Sequence, residues 1–167
     1  ESFPAMLEAI AAARHEVLLA MYIVRDDAVG RRFREALIER ARAGLRVSVC
    51  YDALGCLGAA PDSWFEPLAA AGCQLLEYHP LAPWLPKWGF NRRNHQKLLI
   101  VDGEVGFTGG LNLAAEYAPL PEGGGWHFQQ DDFAQIRVVN KDESGLENGR
   151  LEFYLHNTTK QSPADIK

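Results

Sequence analysis

The feature that most constrains the fold of this chain is an alternation of amphipathic helices and short apolar strands in its first half. In a predicted helix at residues 2–13, Met6 and Ile10 recur at helical spacing, and residues 16–24 form an apolar run typical of a buried strand. The alternation continues with a helix capped by Asp26 or Asp27 and ended by Gly44, a strand at 45–51, a helix at 62–72 and a strand at 74–78. Helices that alternate with buried strands predict a largely parallel sheet with helices on both faces.

The second half of the chain follows a different pattern. Residues 96–101 and 104–108 predict two strands joined tightly at Asp102-Gly103, which is a strong hairpin signal. Gly109-Gly110 forces a further bend after this hairpin. The remaining predicted elements are a short helix at 112–117 and a final strand pair at 133–139 and 151–156.

Together these elements predict an α/β protein with a mixed, largely parallel β-sheet flanked by helices on both faces. The chain has 167 residues, of which 47% are hydrophobic, and this is enough to bury the core of a single domain. We expect one lobe at residues 1–139. Residues 140–167 form a C-terminal segment of uncertain origin that is compatible with a β-hairpin.

Charge and cysteine content narrow the classes of function. The formal net charge of -5 argues mildly against a protein that grips duplex DNA through its phosphates, because such a surface is usually basic. The three cysteines include no C-x-x-C pair, which disfavours a zinc ribbon or a disulfide framework. No run of the sequence approaches the roughly 20 apolar residues that span a bilayer.

Chemistry-bearing residues concentrate around His95. On a strand, His95 and Lys97 would point the same way, because residues two apart share a face. The glycines of the following bend let the backbone approach a ligand closely, and Asn112 is expected at a helix start, where amide dipoles favour an anion. A neutral imidazole can attack phosphorus, while an ammonium and an amide stabilise its oxygens. This set suits a phosphodiester and requires no metal or other cofactor.

The same residues also allow simpler interpretations. An isolated His95 would more often be a hydrogen-bonded core histidine, but Lys97, Asp102 and Asn112 at their spacings favour a catalytic role. A metal site built from His95 and Asp102 is unattractive, because Lys97 would direct a positive charge into it.

The spacing H-x-K-x4-D-x6-G-G-x-N, read from His95 to Asn112, resembles the signature of the phospholipase D superfamily. The double glycine and the stretches of sequence around the motif are most similar to the bacterial cardiolipin synthase branch of this superfamily. The likeness extends over about residues 2–117. It implies a phospholipase D-like lobe with a single copy of this H-K-D motif. Downstream of residue 137 the chain departs from the family pattern.

The resemblance implies a two-step transfer through a phosphohistidine on His95, with a second histidine from another copy of the motif as general acid. Asp102 matches the motif aspartate, in a position that looks more structural than chemical. Asp131, or alternatively Asp132, would orient the histidine of the other half. The resulting catalytic set is His95, Lys97, Asp102, Asn112 and Asp131, and the substrate-binding set is Lys97, Gly109, Gly110, Asn112 and Arg93.

The reaction that the resemblance implies is phosphatidyl transfer or hydrolysis on phospholipids, with an alcohol or water as acceptor. The second lobe would come from the same longer chain or from a homodimer, and the location would be the cytoplasm or the periphery of the bacterial membrane. Two alternatives stay open, namely a homodimeric metal-independent nuclease or phosphodiesterase and an inactive isolated lobe. The acidic charge makes nucleic acid the less favoured partner.

The predicted loop at residues 80–94 is rich in proline, tryptophan and basic residues. Trp84 and Trp88 could cap the core edge or dip into a membrane interface, where such rings are favoured. Lys87 and Arg92, with Arg93, could equally contact a lipid head group or form an ordinary solvated cluster.

Overall fold

The structure is a computed structural model that describes residues 2–80, 93–118, 133–139 and 150–155. Its elements, in chain order, are α1 (Ser2–Ala12), β1 (Glu16–Met21), α2 (Ala28–Arg42), β2 (Arg46–Asp52), α3 (Asp62–Ala70), β3 (Gln74–Tyr78), β4 (Leu98–Val101), β5 (Val105–Gly109), a 3-10 turn (Ala115–Tyr117), β6 (Phe133–Val139) and β7 (Arg150–Leu155). The alternation of helices and strands in the first half is confirmed.

The strands form one seven-stranded sheet in the order β3-β2-β1-β4-β5-β6-β7. Strands β1, β2 and β3 pair in parallel, and every pair from β1–β4 through β6–β7 is antiparallel. The α/β class and the mixed sheet are confirmed, although parallel pairing is confined to the first three strands of the described sheet. The hairpin at Asp102-Gly103 accounts for the antiparallel pairing of β4 with β5, because a tight turn can only join antiparallel neighbours.

Helices α1, α2 and α3 all pack on one face of the sheet. Strands β1, β2 and β4 direct alternate residues towards these helices into a single core. The helices close this core with large side chains such as Phe33 and Trp64. Helices were predicted on both faces of the sheet, but the described helices lie on this face only. On the opposite face, apolar side chains including Leu18, Cys50 and Leu98 line an open groove of about 360 Å³. None of the described helices is long and apolar enough to cross a membrane.

Local signals in the sequence account for the ends of several elements. The Asp27 side chain caps α2 by accepting hydrogen bonds from the backbone N–H groups of Val29 and Gly30. Asp102 and Gly103 both have positive φ angles, of 54° and 68°, which tight hairpin turns require. The predicted final strand pair is confirmed as β6 and β7, with antiparallel register.

The helix predicted at residues 112–117 is largely wrong, since only a three-residue 3-10 turn forms there. Leu113 lies in a parallel bridge with Val24, and its backbone exchanges hydrogen bonds with Ile23 and Arg25. These backbone groups are therefore committed to the chain that extends β1, and they cannot also start a helix at this point.

Candidate active site

His95 and Lys97 lie in an irregular segment immediately before β4, which begins at Leu98. The prediction that a strand carries both residues is therefore wrong by a short margin. Their side chains nevertheless converge, because Lys97 Nζ lies 2.9 Å from Nδ1 and 3.1 Å from Nε2 of His95. The same ammonium donates a hydrogen bond to the His95 carbonyl oxygen at 2.8 Å, which curls the lysine back over the histidine.

The two side chains differ in exposure. His95 is exposed, whereas Lys97 is only 6% exposed, and this burial lowers the pKa of the Lys97 ammonium. Among the residues that the structure describes, no carboxylate forms an ion pair with Lys97. A buried cation with no carboxylate partner in this part of the chain is suited to receiving an anionic ligand.

Tyr22, which directly follows β1, completes this cluster. Its ring centroid lies 4.6 Å from that of His95 at an interplanar angle of 54°, and 5.3 Å from Lys97 Nζ. An ammonium over the face of an aromatic ring is attracted by the ring quadrupole. Sequence reasoning did not place Tyr22 in the site. The antiparallel register of β1 on β4 explains its position in the site. Ala20 opposes Leu98 in this register, so Tyr22 lies beside the residues that precede β4.

Asn112 is buried, at 3% exposure, and both ends of its side-chain amide are held. Its Oδ1 accepts a hydrogen bond from the backbone N–H of Ile23 at 3.0 Å, and its Nδ2 donates one to the Tyr117 hydroxyl at 2.8 Å. The expected position at a helix start is wrong, so the amide is oriented by these partners and not by a helix dipole. An asparagine amide has two N–H donors, and the second donor of Asn112 has no partner among the described residues, which leaves it for a ligand.

The residues that extend β1 therefore connect the His95–Lys97 pair with Asn112. The Tyr22 ring contacts His95 and Lys97, while the backbone N–H of the next residue, Ile23, holds Asn112. Gly109 ends β5 with a φ of 154°, a conformation that suits glycine, and Gly110 follows in the bend that leads to Asn112.

Asp102 has the structural position that its place in the hairpin suggested. Its carboxylate accepts backbone hydrogen bonds from Arg14, His15 and Glu16 at 2.8 to 2.9 Å, which ties the turn to the connection between α1 and β1. Burial alone would raise the pKa of Asp102, but the N–H groups of Glu16, Arg14 and His15 outweigh it, so the pKa lies below its usual range.

Arg93 contacts a buried carboxylate and a backbone carbonyl group, and its expected role in phosphate binding stays a prediction. Its guanidinium lies 3.8 Å from Oδ1 of the buried Asp52 and 3.4 Å from the His79 carbonyl oxygen. Asp131 and Asp132 lie outside the described residues. So do the loop side chains for which a membrane or head-group contact was one of two open interpretations, namely Trp84, Lys87, Trp88 and Arg92.

Comparison with known protein families decides the family. A family model described as "Cardiolipin synthase, PLD-like domain" matches residues 6–119. The chain belongs to this family. The match to the PLD-like domain spans the motif from His95 to Asn112 and ends before Asp131, so it covers the cluster described above and neither candidate for the orienting aspartate.

Similar proteins agree with this assignment. The PLD-like domain is 44% identical over 116 residues to cardiolipin synthase A of Pseudomonas aeruginosa, covering 70% of this chain and 24% of that protein. It is 40% identical over 118 residues to cardiolipin synthase 1 of Bacillus anthracis, covering 70% of this chain and 23% of that protein. The chain thus spans about a quarter of the length of these relatives.

Solved structures share the fold. The phospholipase D family member Nuc from Salmonella typhimurium superposes with a TM-score of 0.57 at 20% identity, covering 79% of this chain and 72% of that one. NucT from Helicobacter pylori superposes with a TM-score of 0.52 at 23% identity, covering 68% of each chain. At these identities the likeness concerns the fold of the PLD-like domain alone.

Proposed function

We propose that this PLD-like domain supplies one half of a phosphodiester-transfer site in which His95 is the nucleophile and Lys97 and Asn112 hold the phosphate. The observation that carries the proposal is the 2.9 Å approach of the Lys97 ammonium to His95 Nδ1, with Lys97 buried and the imidazole exposed. A neutral imidazole has one ring nitrogen with a free lone pair, and that nitrogen can attack phosphorus.

In the first step, the lone pair of a His95 ring nitrogen forms a bond to phosphorus. The bond from phosphorus to the leaving alcohol oxygen breaks, and a general acid on the second lobe protonates that oxygen. In the second step, an alcohol or water attacks phosphorus, its proton passes to the same group, and the nitrogen–phosphorus bond breaks. The chain is restored with no net change in His95.

Lys97 and the remaining N–H donor of Asn112 would bind the non-bridging phosphate oxygens. Charge develops on these oxygens in the transition state, where fixed donors in a partly buried site act most strongly. The ammonium supplies the positive charge, so the step needs no metal ion. Lys97 also has to exchange its contact with the His95 ring for one with a phosphate oxygen.

The substrate that we propose is a phospholipid. The relatives are named cardiolipin synthases, and phosphatidyl transfer to an alcohol, as in cardiolipin formation from phosphatidylglycerol, or to water fits the two-step chemistry. Such a substrate places the site at the surface of a membrane. The net charge of -5 does not favour nucleic acid as the substrate.

The second half of the site would come from another H-x-K-x4-D motif. The printed sequence contains one such motif, which begins at His95. A second copy can be provided by further sequence in a longer protein or by another molecule of this chain. Asp131, or else Asp132, would orient the histidine of that second half.

The proposal is tested by incubating the chain, alone and together with a separately produced second lobe, with phosphatidylglycerol vesicles labelled at phosphorus. We expect an acid-labile labelled protein adduct and transfer products, both lost in His95→Ala. Single-stranded DNA is assayed in parallel over a range of salt concentrations. Turnover of DNA that falls steeply with salt, without turnover of lipid, would replace the lipid proposal by a nuclease. Turnover of lipid that persists in His95→Ala would reject His95 as the nucleophile.

A further inference from the structure

Asp52 is a fully buried carboxylate that lies at the carboxyl end of β2, with 0% of its surface exposed. Aspartate is almost never buried completely unless its charge is compensated by hydrogen bonds or by a partner. Its surroundings therefore show what the residue holds in place.

The two carboxylate oxygens of Asp52 face different parts of the chain. Oδ1 accepts hydrogen bonds from the backbone N–H groups of Leu54 at 2.9 Å and Gly55 at 3.0 Å, which organises the turn that follows β2. Oδ2 accepts the backbone N–H of Asn94 at 3.1 Å, and the Arg93 guanidinium lies 3.8 Å from Oδ1. A single carboxylate thus contacts both residues that precede His95.

The turn after β2 does not by itself explain the second oxygen. An aspartate that stabilises its own turn needs one oxygen for the N–H groups two and three residues ahead. Here Oδ2 bridges to a backbone group 42 positions away in the sequence. Cys50, on the same strand, adds a weak contact, since the Asn94 side-chain nitrogen lies 3.8 Å from its Sγ.

The segment at residues 93–97 depends on such contacts because it has no regular secondary structure. Within it, Gln96 N–H donates to Asn94 Oδ1 at 3.2 Å, so that Asn94 shapes the backbone on both sides of His95. Fixing Asn94 therefore fixes the position from which the imidazole reaches Lys97 and Tyr22.

We propose that Asp52 is a positioning residue for the nucleophile. Its carboxylate holds the backbone N–H of Asn94 and lies beside the Arg93 guanidinium, and through these contacts it sets the place of the His95 ring, without touching the ring or the substrate. The proposal rests on the proposed function for its catalytic consequence, whereas the positioning itself can be measured in the absence of activity.

The first measurement is made on the full chain by NMR, comparing Asp52→Asn with the unaltered protein. An amide at this position keeps one oxygen for Leu54 and Gly55 but presents N–H groups to the Asn94 N–H. We expect hydrogen exchange at the Asn94 amide to rise by about 10- to 100-fold, because a bond to a buried charged acceptor is lost. The proton–proton contacts between the His95 ring and the side chains of Lys97 and Tyr22 should weaken with it.

Asp102→Asn is the matched control, because Asp102 also accepts three backbone N–H groups but lies at the far end of β4. We expect this variant to lower the melting temperature, with unchanged Asn94 exchange and unchanged His95 contacts. Equal changes around His95 in both variants would show a general loss of stability and overturn the proposal. So would Asn94 exchange and His95 contacts that are unaffected by Asp52→Asn.

The second measurement separates kcat from KM in the assembled, active form. We expect Asp52→Asn to lower kcat by about 10-fold or more while KM changes by less than about twofold, because misplacement of the nucleophile affects the reaction step and not substrate contacts. A raised KM with unchanged kcat would contradict the positioning role. If the unaltered protein shows no turnover, the proposed function fails, and the exchange measurement still decides the role of Asp52.

Arg93→Met provides a second variant in case Asp52→Asn does not fold. It leaves all three backbone hydrogen bonds to Asp52 available and removes the guanidinium, with its contacts to Asp52 and to the His79 carbonyl oxygen. We expect a smaller rise in Asn94 exchange in the same direction. No rise in a folded Arg93→Met protein, when Asp52→Asn cannot be obtained, would reject the proposal.

Discussion

Lys97 Nζ lies 2.9 Å from Nδ1 and 3.1 Å from Nε2 of His95, so the proposed phosphate ligand and the proposed nucleophile are in direct contact. The lysine is buried and the histidine exposed, and the Tyr22 ring lies against both. This arrangement separates two tasks. The interior provides a positive charge that is poorly solvated, and the surface provides an accessible nitrogen.

Removing the Lys97 charge should abolish activity without destabilising the fold. In Lys97→Met the chain keeps the aliphatic stem and loses a buried ammonium for which the described residues provide no carboxylate. We expect the free energy of unfolding to stay within about 1 kcal/mol of the unaltered protein or to rise, since buried charges are often replaced by apolar groups without loss. Denaturant unfolding measures this. A loss of about 3 kcal/mol or more would show that the ammonium stabilises the fold.

The pH dependence of stability should report the lowered pKa of Lys97. Because burial lowers the folded-state pKa, the unfolded chain binds the Lys97 proton more tightly, and the resulting penalty on folding is fully present below the lowered pKa. The penalty is relieved as the pH rises from that pKa towards the ordinary lysine value. Unfolding of the unaltered protein and Lys97→Met should therefore differ most at neutral pH and converge above about pH 10. A difference that grows with pH would contradict the shift.

The pH dependence of phosphate affinity should also report the lowered pKa of Lys97. The protonated Lys97 is the form that attracts an anion. The affinity for inorganic phosphate, followed through the NMR signals of the Tyr22 and His95 rings, should therefore fall at a pH below the one at which a free lysine loses its charge. Lys97→Met serves as the reference for binding that does not depend on this group. Affinity that stays constant up to the ordinary lysine pKa would remove Lys97 from the phosphate site.

The aromatic face of Tyr22 should contribute more to activity than its hydroxyl group does. In Tyr22→Phe the ring that contacts His95 and Lys97 is kept, and we expect kcat within about threefold of the unaltered protein. In Tyr22→Leu the ring is lost, and we expect kcat to fall by about 10-fold, because His95 and Lys97 lose the surface that aligns them. Steady-state kinetics on phospholipid vesicles distinguish the two. Equal activity of both variants would assign Tyr22 to packing alone.

Asp102 should contribute acid-sensitive stability. Its folded-state pKa lies below the usual aspartate value, so its contribution is present above that value and is lost as the pH falls through the lowered pKa. We expect Asp102→Ala to lower the free energy of unfolding at pH 7 by about 1–3 kcal/mol, because three backbone N–H groups lose their acceptor. Asp102→Asn, which tolerates the positive φ, should lose less. A difference from the unaltered protein that is independent of pH would contradict the charge-dependent part.

Much of the fold could be predicted from local patterns. Apolar spacing located the helices and parallel strands, and the Asp102-Gly103 dipeptide located the hairpin, because residue spacing and turn chemistry act within a few positions. The parallel share of the sheet was overestimated for a related reason. Local patterns indicate a strand but do not state its partner, and β1 pairs with β2 on one side and with β4 on the other.

The sequence by itself determined the family and the chemical groups of the site, since the fixed spacing from His95 to Asn112 is local information. Only the tertiary structure decided how these groups are held. It placed Tyr22 against His95, held Asn112 on the Ile23 N–H in place of a helix start, and brought the Asp52 carboxylate under the segment that precedes His95. These contacts join residues that are distant in the chain, and they follow from strand register and burial, which no short stretch of sequence encodes.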